Sequence, residues 1–323
     1  MALGLCICVR LVVWLVPDSI QRFHGGVNDR DFLAAEYNLR STQPHLVVAV
    51  MGSSVLYEGV SASLLASELG LEPEGVASGA FRGGTAYDAV LMLRRDPGLF
   101  GQLHLLIIDA QLWQFNDRSW EFRSPHSYRY ASLRDRMGIY EFGYRAVAVA
   151  DWFWPFVSER RQLRQWLAGH KSVGPLLPPR RRQPNADFAP ATQARRQSER
   201  FHFSVAMATA WHELLAFTEQ RGVNVLLVQP PKRAAYQDWI DKNATAAYRQ
   251  YLSFVHSLDG PGVAVHTWER PDEIGLSDDS FYDYGHMSED GAARFTRFLA
   301  TMIRREGLLL PAGRSPSQPV ASP

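Results

Sequence analysis

The sequence predicts an α/β protein: a doubly wound parallel sheet of five strands, with a large helical and loop insertion after the third strand. Three observations carry this. Five short runs read as strands, and four of them are almost unbroken apolar, the pattern of strands covered on both faces. Helical stretches alternate with them, which is the rhythm of right-handed β–α crossovers. The chain has 323 residues, 46% hydrophobic and 21% charged, an ordinary globular composition with enough length for a large core.

Taken in order, the first strand is HLVVAVM (His45 to Met51), followed after Gly-Ser-Ser by a helix over SASLLASELG that ends at Gly70. The second, EGVAS (Glu74 to Ser78), is weak by itself; the helix TAYDAVLMLRRD follows it, with Arg94 and Arg95 suited to a helix C-terminus. The third is LHLLIID (Leu103 to Asp109). FHFSVAMATAWHELLAFTEQRG precedes the fourth, VNVLLVQ (Val223 to Gln229). AAYRQYLSFVHSL precedes the fifth, GVAVHTW (Gly262 to Trp268), and SEDGAARFTRFLATMIRREG closes the fold. The whole reads as a flavodoxin-like three-layer sandwich over about residues 40–310, with its ligand crevice at the carboxyl ends of the strands.

Between about 115 and 200 the rhythm breaks. The first part is aromatic and reads as helical through YRAVAVADWFWPFVSERRQLRQWL. The last part, Pro178 to Arg200, is rich in arginine and proline and reads as an exposed, mobile, basic loop. Residues 311–323 read as a disordered tail. Residues 1–17 are apolar from Ala2 to Val16 except for Arg10, short for a bilayer span of about 20 residues. A buried first helix and a membrane anchor both fit this segment, and the anchor is the preferred expectation. The only cysteines, Cys6 and Cys8, lie there, so the globular part has no thiol chemistry. A net charge of +1 supplies no field to recruit nucleic acid.

Two motifs carry chemistry. In VVAVMGSSVLYEGV the first strand breaks into Gly52-Ser53-Ser54 at the rim of the sheet, where a serine is either a turn and capping residue or a nucleophile. After the last strand, DDSFYDYGHMSEDG holds Asp283 and His286 three apart, before a helix that Ser288 can cap. That spacing lets a carboxylate orient an imidazole as a general base. No cofactor motif and no metal motif is present: GAFRGG lacks dinucleotide spacing, and no phosphate loop or His-Glu-x-x-His occurs. His104, His212, His256 and His266 read as core or surface residues. Lys232 reads as a solvent lysine, with substrate contact the rival; Trp113 reads as core.

With these motifs the chain resembles the SGNH (GDSL-type) hydrolase superfamily. The resemblance implies Ser54 as nucleophile, His286 as base, Asp283 as its orienter, and an oxyanion hole from the N–H groups of Ser54 and Gly79. The third motif departs from the family's Gly-x-Asn-Asp: Asp109-Ala110-Gln111 offers the Gln111 amide as the third donor, with Asn116 as rival. Ser53 is expected to be a turn residue without a chemical role. Ser-Ser in the first motif also resembles membrane-associated members that handle acyl groups on bacterial envelope polymers. The expected activity is therefore hydrolysis of O-acyl esters on a cell-envelope carbohydrate, by an N-terminally anchored domain outside the cytoplasmic membrane. The alternatives are an O-acyltransferase working with a membrane acyl-donor protein, and a non-catalytic protein that binds glycan or a partner.

Overall fold

The computed structural model describes residues 27–118 and 189–310. Strands β1 (Val48–Met51), β2 (Val76–Ser78), β3 (Leu105–Asp109), β4 (Asn224–Gln229) and β5 (Val263–Thr267) form one parallel sheet in the order β2-β1-β3-β4-β5. Val48 stands opposite Val76 and Leu105, Leu105 opposite Asn224, and Val225 opposite Val263. The strand order reverses between β1 and β3, and at such a switch point the diverging connections leave a crevice at the strand ends. Strands β1, β3 and β4 are buried at every residue, as their apolar runs require. β5 differs from the expectation of cover on both faces: it is the sheet's margin, and all five residues are half-buried.

The helices are α1 (Val27–Thr42), α2 (Ser54–Gly59), α3 (Ala62–Leu69), α4 (Ala86–Arg95), α5 (Pro190–Ser198), α6 (Val205–Glu219), α7 (Ala234–Asn243), α8 (Thr245–Ser257) and α9 (Glu289–Glu306). Side chains alternate across a strand, so each face of the sheet carries every second residue. Ala49, Met51, Leu106, Ile108, Val225 and Leu227 meet a layer that includes α1, α4, α6 and α8. Val48, Val50, Leu105, Ile107, Leu226 and Val228 meet α2, α3 and α9. Each fully buried aliphatic side chain contributes about 1.5–3 kcal/mol, so these two layers dominate the stability of the sheet. Capping fixes the helix ends. Thr85 and Asp88 form a reciprocal capping box at α4, Ser288 accepts from Gly291 N at α9, and Gly70 and Gly307 close α3 and α9 in the left-handed conformation.

Helix α1 begins ahead of residue 40, the expected start of the domain, and its Phe32, Ala35 and Leu39 are fully buried in the common core. Its Glu36, also buried, holds Arg95 at 3.0 Å and Arg40 at 3.2 Å. The basic run is corrected over its last part. Pro190–Ser198 is a helix, started by proline at its first position, and it buries Gln193, Ala194, Gln197 and Ser198 while Arg195 and Arg196 face outward. The expected helix over 144–167, the basic residues 178–188, the apolar segment 1–17 and the tail 311–323 lie outside the described residues. Among the described residues no helix is long and apolar enough to cross a membrane.

Candidate active site

The Gly52-Ser53-Ser54 turn begins where β1 ends. Gly52 has φ +115°, a conformation glycine adopts without the steric penalty of a side chain. Ser53 is extended and caps α2, its hydroxyl accepting from Val55 N at 3.2 Å. Ser54, the first residue of the helix, is half-buried, and its Oγ lies 2.7 Å from His286 Nε2. The two residues are 232 positions apart in sequence, and the sheet joins them at one rim.

His286 sits in a loop closed by a bridge between Phe281 and Met287 and by Tyr282 N donating to His286 O at 3.1 Å. Its Nδ1 lies 2.7 Å from Asp283 Oδ2. Asp283 Oδ1 accepts from Gly285 N at 3.0 Å and His286 N at 2.8 Å, which fixes the carboxyl plane. An ionised carboxylate only accepts, so the imidazole proton is on Nδ1 and the Nε2 lone pair faces Ser54. Burial pushes the Asp283 carboxyl up, but the hydrogen bond and charge of His286 and the two N–H donors outweigh it and hold it below the usual range. The Tyr282 ring stacks parallel on the imidazole with centroids 5.7 Å apart, and Tyr284 meets it edge-on at 5.5 Å.

The expected oxyanion donors are brought together only in part. The Ser54 N–H has no hydrogen-bond partner among the described residues. Gly79 is corrected: its N–H donates to Val50 O at 2.7 Å, extending the β1–β2 ladder, and is spent there. Asn116 is also corrected. Its amide donates to the carbonyls of Gln197 at 3.0 Å and Glu199 at 3.3 Å, tying the two ends of the insertion together far from any free role. Gln111 donates one amide hydrogen to Asp109 Oδ2 at 2.9 Å and keeps the second.

Two residues at the site, Gly83 and Asp109, are not singled out by the sequence, and a third, Lys232, reads there as a solvent lysine with substrate contact as the rival. Gly83, partly exposed and at φ +73°, has an N–H with no partner among the described residues. A Cβ on its neighbour Gly84 would overlap the Gly52 carbonyl oxygen, so the Gly83-Gly84 pair lies against the Gly52-Ser53-Ser54 turn. The signal for it is a glycine pair just ahead of the Thr85 cap. Asp109, at the end of β3, takes the Ser53 N–H at 2.7 Å and the Ser53 hydroxyl at 2.5 Å. Lys232 is not a solvent lysine: it is 4% exposed, and its stem packs so closely on Gly285 that a Cβ there would lie 2.7 Å from its Cδ. The expected core residue Trp113 is buried. His104 touches the Leu309 carbonyl, His212 the Phe254 ring, His256 the Thr267 hydroxyl and His266 the Glu306 carboxylate; none lines this site.

Among the described residues no group of three or more His, Cys, Asp or Glu side chains is placed to hold a metal ion. The arrangement is suited to nucleophilic attack by Ser54 with His286 as base.

No family model matches the chain, and no curated protein matches it. Among solved structures it is similar to a carbohydrate esterase family 3 from Talaromyces cellulolyticus, at 11% sequence identity and a TM-score of 0.37, over 80% of this chain and 97% of that one. At that level of similarity the function has to be argued from the residues themselves.

Proposed function

We propose that this protein is a serine esterase that cleaves O-acyl esters through an acyl-serine intermediate. The unbroken hydrogen-bond chain from Ser54 Oγ through His286 to Asp283, with both contacts at 2.7 Å, carries this reading. In the forward step Ser54 Oγ attacks the ester carbonyl and its proton passes to His286 Nε2. Asp283 stabilises the imidazolium, whose formation costs less beside a carboxylate already held ionised. The N–H groups of Ser54 and Gly83 and the free amide hydrogen of Gln111 receive the oxyanion. Collapse of the tetrahedral intermediate expels the alcohol, which leaves with the proton from Nε2. Water then attacks the acyl-serine by the same route and restores Ser54.

The substrate we propose is an acylated carbohydrate of the cell envelope, met by a domain outside the cytoplasmic membrane. This part rests on the resemblance of the Ser53-Ser54 pair in the first motif to membrane-associated envelope enzymes and on the apolar segment from Ala2 to Val16. Transfer to a sugar hydroxyl would share the first half of the mechanism and differ in what reaches the acyl-serine.

The test is intact mass spectrometry after a brief pulse of p-nitrophenyl acetate. One acetyl group should appear, map to Ser54, and be absent in Ser54→Ala. Clearance by water alone supports the esterase, and clearance that needs added carbohydrate supports transfer. A folded wild-type protein that neither acetylates nor reacts with a fluorophosphonate would overturn the enzyme reading in favour of a binding role.

A further inference from the structure

We propose that Asp109 is the positioning residue of this site, its carboxylate setting both the nucleophile turn and the Gln111 amide. The inference rests on the reading of Ser54 as nucleophile and adds a role for a residue outside the triad. Asp109 is fully buried and anchored by sheet register opposite Val228, so its carboxyl has a fixed origin. Three donors converge on it: Ser53 N at 2.7 Å on Oδ1, and Ser53 Oγ at 2.5 Å and Gln111 Nε2 at 2.9 Å on Oδ2. An ionised carboxylate accepts from all three at once, and it is in this form that the group would hold both segments. Burial pushes its pKa up, while the Ser53 donors, the Lys232 charge and the Gln111 amide act against that rise.

The space around the group is equally specific. A Cβ on Gly52 would overlap Asp109 Oδ1, so the carboxylate occupies the place that any side chain at 52 would need. The consequence falls on three successive N–H groups. That of Ser53 goes to Asp109 and that of Val55 to the Ser53 hydroxyl, which Asp109 also holds. Ser54 N–H, between them, is the one left to receive an oxyanion. On the other side, the bond to Oδ2 sets the rotation of the Gln111 amide and hence where its second hydrogen points. A helix cap alone requires only the Ser53 hydroxyl; two carboxylate oxygens held by both candidate oxyanion segments are a further arrangement.

The test compares wild type, Asp109→Asn and Ser53→Ala, each normalised by fluorophosphonate titration of Ser54, with p-nitrophenyl acetate as substrate. In Asp109→Asn the Ser53 N–H keeps an oxygen, but an NH2 group now faces the Ser53 hydroxyl and the Gln111 amide. We expect kcat per titrated site to fall about a hundredfold, with KM within about threefold of wild type. A merely structural Asp109 would lower the melting temperature and the titrated fraction and leave kcat per site unchanged, and that result overturns the proposal. If Asp109→Asn does not fold, Ser53→Ala decides: a fall of about tenfold in kcat per site supports it, and a wild-type value overturns it. Failure of the wild type to acylate would sink the esterase reading and this proposal together. An acylating wild type with an indifferent Asp109→Asn would sink this proposal alone.

Discussion

Replacing Asp283 by asparagine separates an orienting carboxylate from a spectator. In the native loop Oδ1 accepts from Gly285 N at 3.0 Å and His286 N at 2.8 Å, and Oδ2 accepts from His286 Nδ1 at 2.7 Å. An asparagine keeps its oxygen on the two backbone donors, which places its NH2 opposite Nδ1. The amide then donates to Nδ1, the imidazole proton moves to Nε2, and the atom facing Ser54 Oγ can no longer accept. Loss of a charge-assisted hydrogen bond alone is worth about 1.5–3 kcal/mol, or about 10- to 150-fold in rate. A wrong tautomer typically costs about 10⁴-fold, or about 5.4 kcal/mol. The larger figure is the expectation here, because the backbone donors force the amide's orientation. Hydrolysis of p-nitrophenyl acetate near neutral pH, normalised to folded protein, measures it. Asp283→Ala supplies the control: it leaves both tautomers open, so its kcat should exceed that of Asp283→Asn while its melting temperature falls below it. An Asp283→Asn enzyme within about a hundredfold of wild type, or a less active Asp283→Ala, would refute the tautomer argument.

Gly52→Ala combines a side chain at φ +115° with overlap on Asp109, and should lose at least about 3 kcal/mol of stability together with phosphonate labelling; chemical denaturation and labelling check this. Asn116→Ala removes an acceptor from Arg118 N and His202 N and a donor from two carbonyls, so it should cost about 2–3 kcal/mol in a melting experiment. Its kcat per titrated site should stay at wild type, and a hundredfold fall without loss of stability would restore Asn116 as an oxyanion donor. The two site carboxylates give opposite signs against pH. Asp283, held below the usual range, contributes stability that is present above about pH 4 and lost as pH falls through its folded pKa, so the melting deficit of Asp283→Asn should shrink in acid. Asp109, pushed up by burial, costs stability as pH rises from about 4 through its folded pKa, so Asp109→Asn should gain on wild type over that rise.

The strands and the triad were legible because both are written locally. An unbroken apolar run fixes a buried strand, Asp-x-x-His fixes a carboxylate–imidazole pair, and parallel topology sends both ends to one rim. The oxyanion donors were not legible, because an N–H is free or spent according to register. Gly79 loses its hydrogen to Val50 through a pairing no local pattern announces. Helix α5 was misread for a different reason: its buried face is Gln193, Ala194, Gln197 and Ser198, without an apolar stripe. What buries Gln197 is a polar exchange, its amide donating to the Tyr284 hydroxyl at 3.2 Å and its oxygen accepting from Tyr236 at 2.8 Å. Helix α1 dilutes Phe32, Ala35 and Leu39 with charge, and its buried Glu36 is intelligible only once Arg95 arrives from α4.

His286 and Asp283 come from the last loop of the fold, and the helix after that loop, α9, packs Phe295 and Leu299 into the layer that backs the helix bearing Ser54. Synthesis therefore delivers Ser54, the proposed nucleophile, early and His286, its proposed base, late. A ribosome-bound chain that has not reached residue 286 exposes a serine with no proton acceptor, in a helix without its backing. On the esterase reading proposed above, such a chain lacks the base that Ser54 needs, and the site is complete only once His286 and the helix after it are in place. On that mechanism the order in which the chain is made would act as a safety catch on its chemistry.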